Sequence, residues 1–243
     1  MIARILNPVA GRASDDHDHG RVLVKICGVS RPEHADVAAL AGADLIGVVF
    51  YPPSPRNVTV DEARAVAGVA RAAGLVLVGL FVNESPDVIN SVADQVGLDV
   101  VQLSGDEAPD VIRDIERPTI GSVRIDSTGH VDEEGRFSAL ASANPGPWAI
   151  HIDSHVRGMY GGTGTVADWF VAADFARRYR TILAGGLRPE TVVEAIRRVR
   201  PFAVDVSSGV ETGGLKDPVK IRAFISSARS AAIEARKHGI NIH

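Results

Sequence analysis

The chain has one cysteine, two methionines and few aromatic side chains, 5% of its 243 residues. A lone cysteine cannot form an intrachain disulfide, so nothing in the fold depends on an oxidising compartment, and a cytoplasmic location is expected. No run approaches the roughly 18 apolar residues that a membrane helix requires. Neither sign of charge dominates: 26 Lys and Arg against 30 Asp and Glu leave a formal net charge of -4. There is no basic block with interleaved aromatics, so neither a nucleic acid nor a membrane is an expected partner. A G-x-G-x-x-G is also missing after the first apolar run, which argues against a doubly wound dinucleotide-binding sheet.

What is present is enough apolar material, 45% of residues, to fill one large core. The length matches the roughly 250 residues typical of a single eight-fold α/β barrel. Short apolar runs recur at Val22 to Ile26, Leu45 to Phe50, Val76 to Phe81, Val100 to Leu103, Thr119 to Val123, Trp148 to Ile152, Thr181 to Leu183 and Phe202 to Val206. They are continuous rather than alternating, the pattern of parallel strands covered on both faces.

Helix starts lie between most of these runs. Ser30 to Glu33 and Thr59 to Glu62 read as capping boxes, while Ser85-Pro86 and Asp217-Pro218 put a capping side chain before a helix-opening proline. Gly42, Gly74, Gly97 and Gly239 stand where helices should stop. The fifth unit, residues 126–147, is rich in turn signals and predicts a poorly formed or short helix. The expectation is an α/β fold, a single (β/α)8 TIM barrel over residues 21–243. Residues 1–20, with Pro8 and the acidic run Asp15 to His19, form a flexible N-terminal extension.

A barrel of this kind carries its chemistry at the C-terminal ends of the strands. A lone cysteine is more often a small buried hydrophobe than a reactive group. Cys27, however, closes the first strand before a turn-forming Gly28, where a thiol supplied with N–H donors or a cation serves as a base near neutrality. Asp153 ends the sixth strand. The bland reading is a cap or surface ion pair, but a carboxyl beside apolar neighbours keeps its proton to higher pH and can deliver it.

His151, Asp153 and His155 alternate along one strand face and suggest a metal site, but the sequence supplies no supporting shell, and no metal is expected. Gly185-Gly186 and Ser207-Ser208-Gly209 follow the seventh and eighth strands, the usual phosphate loops of such barrels. Arg56 sits on a loop stiffened by Pro52, Pro53 and Pro55, where a held guanidinium fork would grip a planar carboxylate.

The pieces Lys25-Ile26-Cys27-Gly28, Ser54-Pro55-Arg56, Gly79 to Asn83, Val101-Gln102-Leu103 with Gly105-Asp106-Glu107, Ile152-Asp153-Ser154, Leu183 to Leu187 and Val204 to Glu211 occur in this order. Together they resemble the phosphoribosylanthranilate isomerase family over about residues 22–228. The resemblance implies the Amadori rearrangement of N-(5-phosphoribosyl)anthranilate in tryptophan biosynthesis, with no metal or organic cofactor. It implies Asp153 as general acid, Cys27 as general base, and Arg56 on the anthranilate carboxylate. Asp205 and Gln102 would bind substrate, and Gly185, Gly186, Ser207, Ser208 and Gly209 would hold its phosphate.

The only expected partner is thus a small phosphorylated sugar–anthranilate molecule, bound by a monomer or weak homodimer. One departure stands out: Ser104 occupies the place where the family usually has histidine. Two alternatives remain. One is a dual-specificity aldose–ketose isomerase that also serves histidine biosynthesis, disfavoured because the early loops lack a second Gly-rich cradle. The other is a catalytically silent phosphosugar-binding barrel, disfavoured because both proton-transfer residues are present.

Overall fold

The computed structural model of the chain describes residue 6, residues 21–124, residue 143, residues 146–153 and residues 166–237. Eight parallel strands close a barrel in sequence order: β1 (Leu23–Ile26), β2 (Leu45–Phe50), β3 (Val76–Phe81), β4 (Val100–Leu103), β5 (Thr119–Arg124), β6 (Ala149–Asp153), β7 (Thr181–Ala184) and β8 (Ala203–Val206). Closure is made by β1 against β8, with Lys25 opposite Asp205. The apolar runs of the sequence thus locate every strand, to within a residue at each end.

Six α-helices cover the outside among the described residues: α1 (Pro32–Ala41), α2 (Val60–Ala73), α3 (Pro86–Val96), α4 (Val166–Ala176), α5 (Val192–Val199) and α6 (Pro218–Lys237). A 3-10 helix, Pro109–Asp114, stands between β4 and β5. The Thr59 capping box forms as expected: Thr59 N–H donates to Glu62 Oε2 at 2.7 Å, and Glu62 N–H donates back to Thr59 Oγ1. Ser85 and Asp217 also cap their helices, and Gly42, Gly74 and Gly97 end theirs in the left-handed conformation.

The box expected at Ser30 does not form. Pro32 opens α1 with its fixed φ, which makes Arg31 the cap residue and moves Glu33 one position too early to reach back. Gly239 and the expected weak helix of the fifth unit lie largely outside the described residues.

Strand alternation sorts the apolar residues into two cores. One face of each strand, such as Val24, Ile26, Ile46, Val48, Val101, Ile150, Ile152, Val204 and Val206, packs outward with the helices. The other face supplies Leu45, Val76, Val78, Val100, Ile120, Ala149, Ile182 and Ala203 to the inside of the barrel, with Leu23 against them. Side chains fill the interior, as expected for a barrel of this strand number.

At the N-terminal mouth, Asp44 joins the first strand to the last described helix. Its fully buried carboxylate accepts from Val24 N–H at 2.8 Å, from Arg21 at 2.5 Å and from Arg229 of α6 at 2.6 Å. Arg229 also donates to the carbonyls of Val22 and Gly42, both at 2.6 Å.

Candidate active site

Above the apolar inner core, the inward positions turn polar. Lys25, His151 and Asp205 each follow a core residue two places earlier on the same strand, so alternation aims all three at the barrel axis. They meet there: Lys25 Nζ donates to Asp205 Oδ2 at 3.0 Å, and His151 Nε2 lies 3.0 Å from the same oxygen. All are buried, Lys25 completely.

Burial of this kind disfavours charge, at a penalty of several kcal/mol per ion. In Asp205 that penalty is outweighed by the Lys25 ammonium and the His151 hydrogen bond, which bring the carboxyl down from 3.8 to about 2. In Lys25 burial again pushes down, while the Asp205 carboxylate, with the neighbouring Cys27, more than offsets it and leaves the ammonium above its ordinary value. The pair is therefore ionised across the neutral range.

Gln102 is the fourth buried polar side chain of this layer. It donates through Nε2 to Ser104 Oγ at 3.1 Å, and Ser104 Oγ lies 3.1 Å from Ser122 Oγ. Ser104 is thus one link of a short hydrogen-bonded chain between β4 and β5.

Two residues beyond Lys25 and His151 come Cys27, just past the end of β1, and Asp153, the last residue of β6, on the same inward alternation. Cys27 is buried and unbridged. A methyl group built on Gly47 of β2 would lie 3.1 Å from Cys27 Sγ and 3.3 Å from Lys25 Nζ, so thiol and ammonium both pack against the bare backbone of Gly47. Asp153 is half-buried, and its Oδ1 is enclosed with no hydrogen-bond partner among the described residues. The Oε1 of Gln102, the Nδ1 of His151 and the Oδ1 of Asp205 are also buried and unpartnered there. Such atoms are costly unless something polar meets them.

Arg56 reaches the same rim from the proline-stiffened loop after β2. Its Cδ would lie 2.4 Å from a Cβ on Gly28, and Ser207 Oγ 3.2 Å from that point, so the absence of a side chain at Gly28 lets these loops close over β1. The expected guanidinium fork exists, but Glu211 occupies it: Nε and Nη2 donate to Glu211 Oε1 and Oε2, both at 2.7 Å. Lys216 Nζ donates to Glu211 Oε1 at 2.7 Å and to the carbonyl and hydroxyl oxygens of Ser207 at 3.0 and 3.2 Å.

Glu211 and Lys216 were not singled out by sequence. They face each other across a short hairpin, β9 (Glu211–Thr212) and β10 (Leu215–Lys216), turned by Gly213-Gly214 at φ 60° and 81°. Thr-Gly-Gly-Leu was the available signal, since paired glycines favour such two-residue turns.

The loops after β7 and β8 come together at the rim. Gly185 and Gly186 have φ of 87° and 60°, and Gly209 passes so close to the Leu187 carbonyl that a Cβ there would be 1.9 Å from its oxygen. Ser207 precedes the one-turn helix Ser208–Val210, with Ser208 exposed. The metal reading of His151, Asp153 and His155 finds His151 Nε2 engaged by Asp205, and His155 lies outside the described residues. Among the described residues, no group of three or more His, Cys, Asp or Glu side chains is arranged to hold a metal ion.

The family profile for N-(5'phosphoribosyl)anthranilate (PRA) isomerase matches residues 24–227, from the first strand into the last helix. The chain belongs to that family. N-(5'-phosphoribosyl)anthranilate isomerases are aldose–ketose isomerases of tryptophan biosynthesis, and this barrel is one of them. The isomerase of Roseiflexus castenholzii is 47% identical over 227 residues, covering 87% of this chain and all of that one.

Among solved structures, the phosphoribosylanthranilate isomerase of Thermotoga maritima superposes with a TM-score of 0.74 at 39% identity, covering 86% of this chain and 99% of that one. A phosphoribosylanthranilate isomerase in complex with reduced 1-(o-carboxyphenylamino)-1-deoxyribulose 5-phosphate is 37% identical, with a TM-score of 0.71 over 86% of this chain and 99% of that one. The dual-specificity and catalytically silent readings are not favoured by these relationships. Among the described residues no helix is long and apolar enough to cross a membrane.

Proposed function

We propose that Cys27 and Asp153 are the proton carriers of the isomerisation, working from opposite sides of the barrel mouth. Asp153 protonates the furanose ring oxygen of N-(5-phosphoribosyl)anthranilate, and the C1′–O bond breaks to give an open-chain Schiff base. Cys27 removes the C2′ proton to form an enolamine, which becomes the 1-deoxyribulose ketone once carbon C1′ is protonated. No oxidant or reductant is consumed, because the two electrons removed from C2′ are gained at C1′.

The observation that carries this reading is the shared layer beneath. Lys25 and His151 meet on Asp205 at the axis, and Cys27, just past β1, and Asp153, at the end of β6, stand one inward position above them. The enclosed, unpartnered Oδ1 of Asp153 suits a carboxyl that donates to a ligand atom.

Arg56 takes the anthranilate carboxylate, and Gln102 and Asp205 meet sugar hydroxyls through their open oxygens. Gly185, Gly186, Ser207, Ser208 and Gly209 hold the phosphate. Residues 21–243 act as one isomerase domain with residues 1–20 as an extension, in the cytoplasm, as a monomer or weak homodimer that sedimentation would distinguish.

The test is turnover of phosphoribosylanthranilate, followed by the loss of anthranilate fluorescence. Cys27→Ala and Asp153→Asn should each lower kcat by roughly 10²-fold or more, the usual scale of lost general acid–base assistance. Near-wild-type kcat in either variant removes that residue from its role.

A further inference from the structure

Arg56 has to do two things at the rim: stay in place and present a donor to the substrate carboxylate. The fork edge, Nε and Nη2, is bound to Glu211, and among the described residues Nη1 makes no hydrogen bond. Held along one edge by a buried carboxylate, the guanidinium plane cannot swing, and the donor left for a ligand has a set direction.

Glu211 is itself fixed. Its backbone carbonyl accepts from Lys220 Nζ at 2.7 Å, and its Oε1 accepts from Lys216 Nζ. Lys216, almost wholly buried, continues to Ser207 in the loop after β8. The ammonium occupies an acceptor position of the Ser207 hydroxyl and so leaves its proton to be donated elsewhere. Two cations share one carboxylate, so the cluster carries a net positive charge beside the place assigned to a substrate with two anionic groups.

We propose that Glu211, with Lys216 as its strut, is a positioning residue that makes the enzyme specific for an aryl carboxylate: it sets the distance between the carboxylate donor on Arg56 and the phosphate donor on Ser207. The inference rests on the assignment of Arg56 to the anthranilate carboxylate. It predicts that a substrate lacking the carboxylate is rejected because of how Glu211 holds Arg56, and not because of the arginine's charge alone. Glu211 does not touch the reacting atoms, so its effect belongs in binding and discrimination rather than in proton transfer.

The experiment compares two probes: reduced 1-(o-carboxyphenylamino)-1-deoxyribulose 5-phosphate and the same compound without the carboxyl group. Calorimetry gives the ratio of their affinities for the wild type, Arg56→Ala, Glu211→Gln and the double variant. Glu211→Gln should lower the ratio by roughly tenfold or more, the scale of a lost charge-assisted hydrogen bond. KM should rise in parallel, kcat should stay within about threefold, and the double variant should discriminate no worse than Arg56→Ala.

An unchanged ratio in Glu211→Gln while Arg56→Ala abolishes discrimination overturns the positioning role and leaves the clamp intact. Tighter binding in Glu211→Gln also overturns it, since Glu211 would then be competing with the substrate for the guanidinium. An unchanged ratio in Arg56→Ala removes the clamp assignment and this inference with it. If Glu211→Gln does not fold, Glu211→Asp keeps a carboxylate in the cluster but draws it back by one methylene from Arg56 and Lys216 alike, and the same ratio decides.

Discussion

The buried pair of Lys25 and Asp205 is a single residue-to-residue contact with consequences for stability. Asp205 titrates near 2 in the folded chain against 3.8 ordinarily, so its contribution is fully present above pH 3.8 and is lost as pH falls through about 2. The difference corresponds to roughly 2 kcal/mol of stability. The sign is opposite for Lys25: its raised value leaves stability intact below 10.5 and removes it at higher pH. Melting curves between pH 5 and about 2 should therefore show a steeper loss for the wild type than for Asp205→Asn, which strands the Lys25 charge and starts less stable by about 3–5 kcal/mol. Equal slopes would remove Asp205 as the titrating group.

Gly47 makes the second residue-scale case. A Cβ there must displace Cys27 Sγ or Lys25 Nζ by a few tenths of an ångström. Gly47→Ala should cost roughly tenfold in kcat through misplacement of the thiol, with little change in melting temperature. An unaltered kcat would show that the thiol has room to spare.

Among the elements, the hairpin of β9 and β10 contacts Arg56 through Glu211 and Ser207 through Lys216. Gly213 and Gly214 face open space, so a side chain at either meets no clash and the strain is purely that of positive φ, about 1–2 kcal/mol per residue. Gly213→Val should loosen the hairpin that presents Glu211 and Lys216 and raise KM severalfold with kcat retained; an unchanged KM would mean the loops hold those side chains without it. Elements also differ in how legible they were. The strands were read to within a residue because each is a short run rich in buried apolar residues, and the caps at Thr59, Ser85 and Asp217 because their chemistry is local. The Ser30 box misled because two local signals overlapped, and the proline prevailed. The hairpin went unread because two residues per strand carry no periodicity.

For the whole molecule, the decisive contact is the latch at the end remote from the site. Asp44 draws Arg21, β1 and Arg229 of the final helix together, joining residues 185 positions apart in the chain. Asp44→Asn should lower global stability by about 2–3 kcal/mol while leaving kcat and KM unchanged, because it weakens closure without touching the catalytic mouth. A kinetic change without a fall in melting temperature would contradict this separation of stability from chemistry across the two ends of the barrel.

Taken alone, the sequence determined the fold class, the eight strands, most helix starts and the strand ends where chemistry resides, because those features depend on neighbours within a few residues. It also marked Cys27, Asp153 and Arg56 by position. Only the tertiary structure decided that Lys25, His151 and Asp205 meet at the axis, that Glu211 occupies the Arg56 fork, and that Ser104 bridges Gln102 and Ser122. These are contacts between side chains whose partners sit on other strands or loops, and their geometry exists only once the barrel has closed.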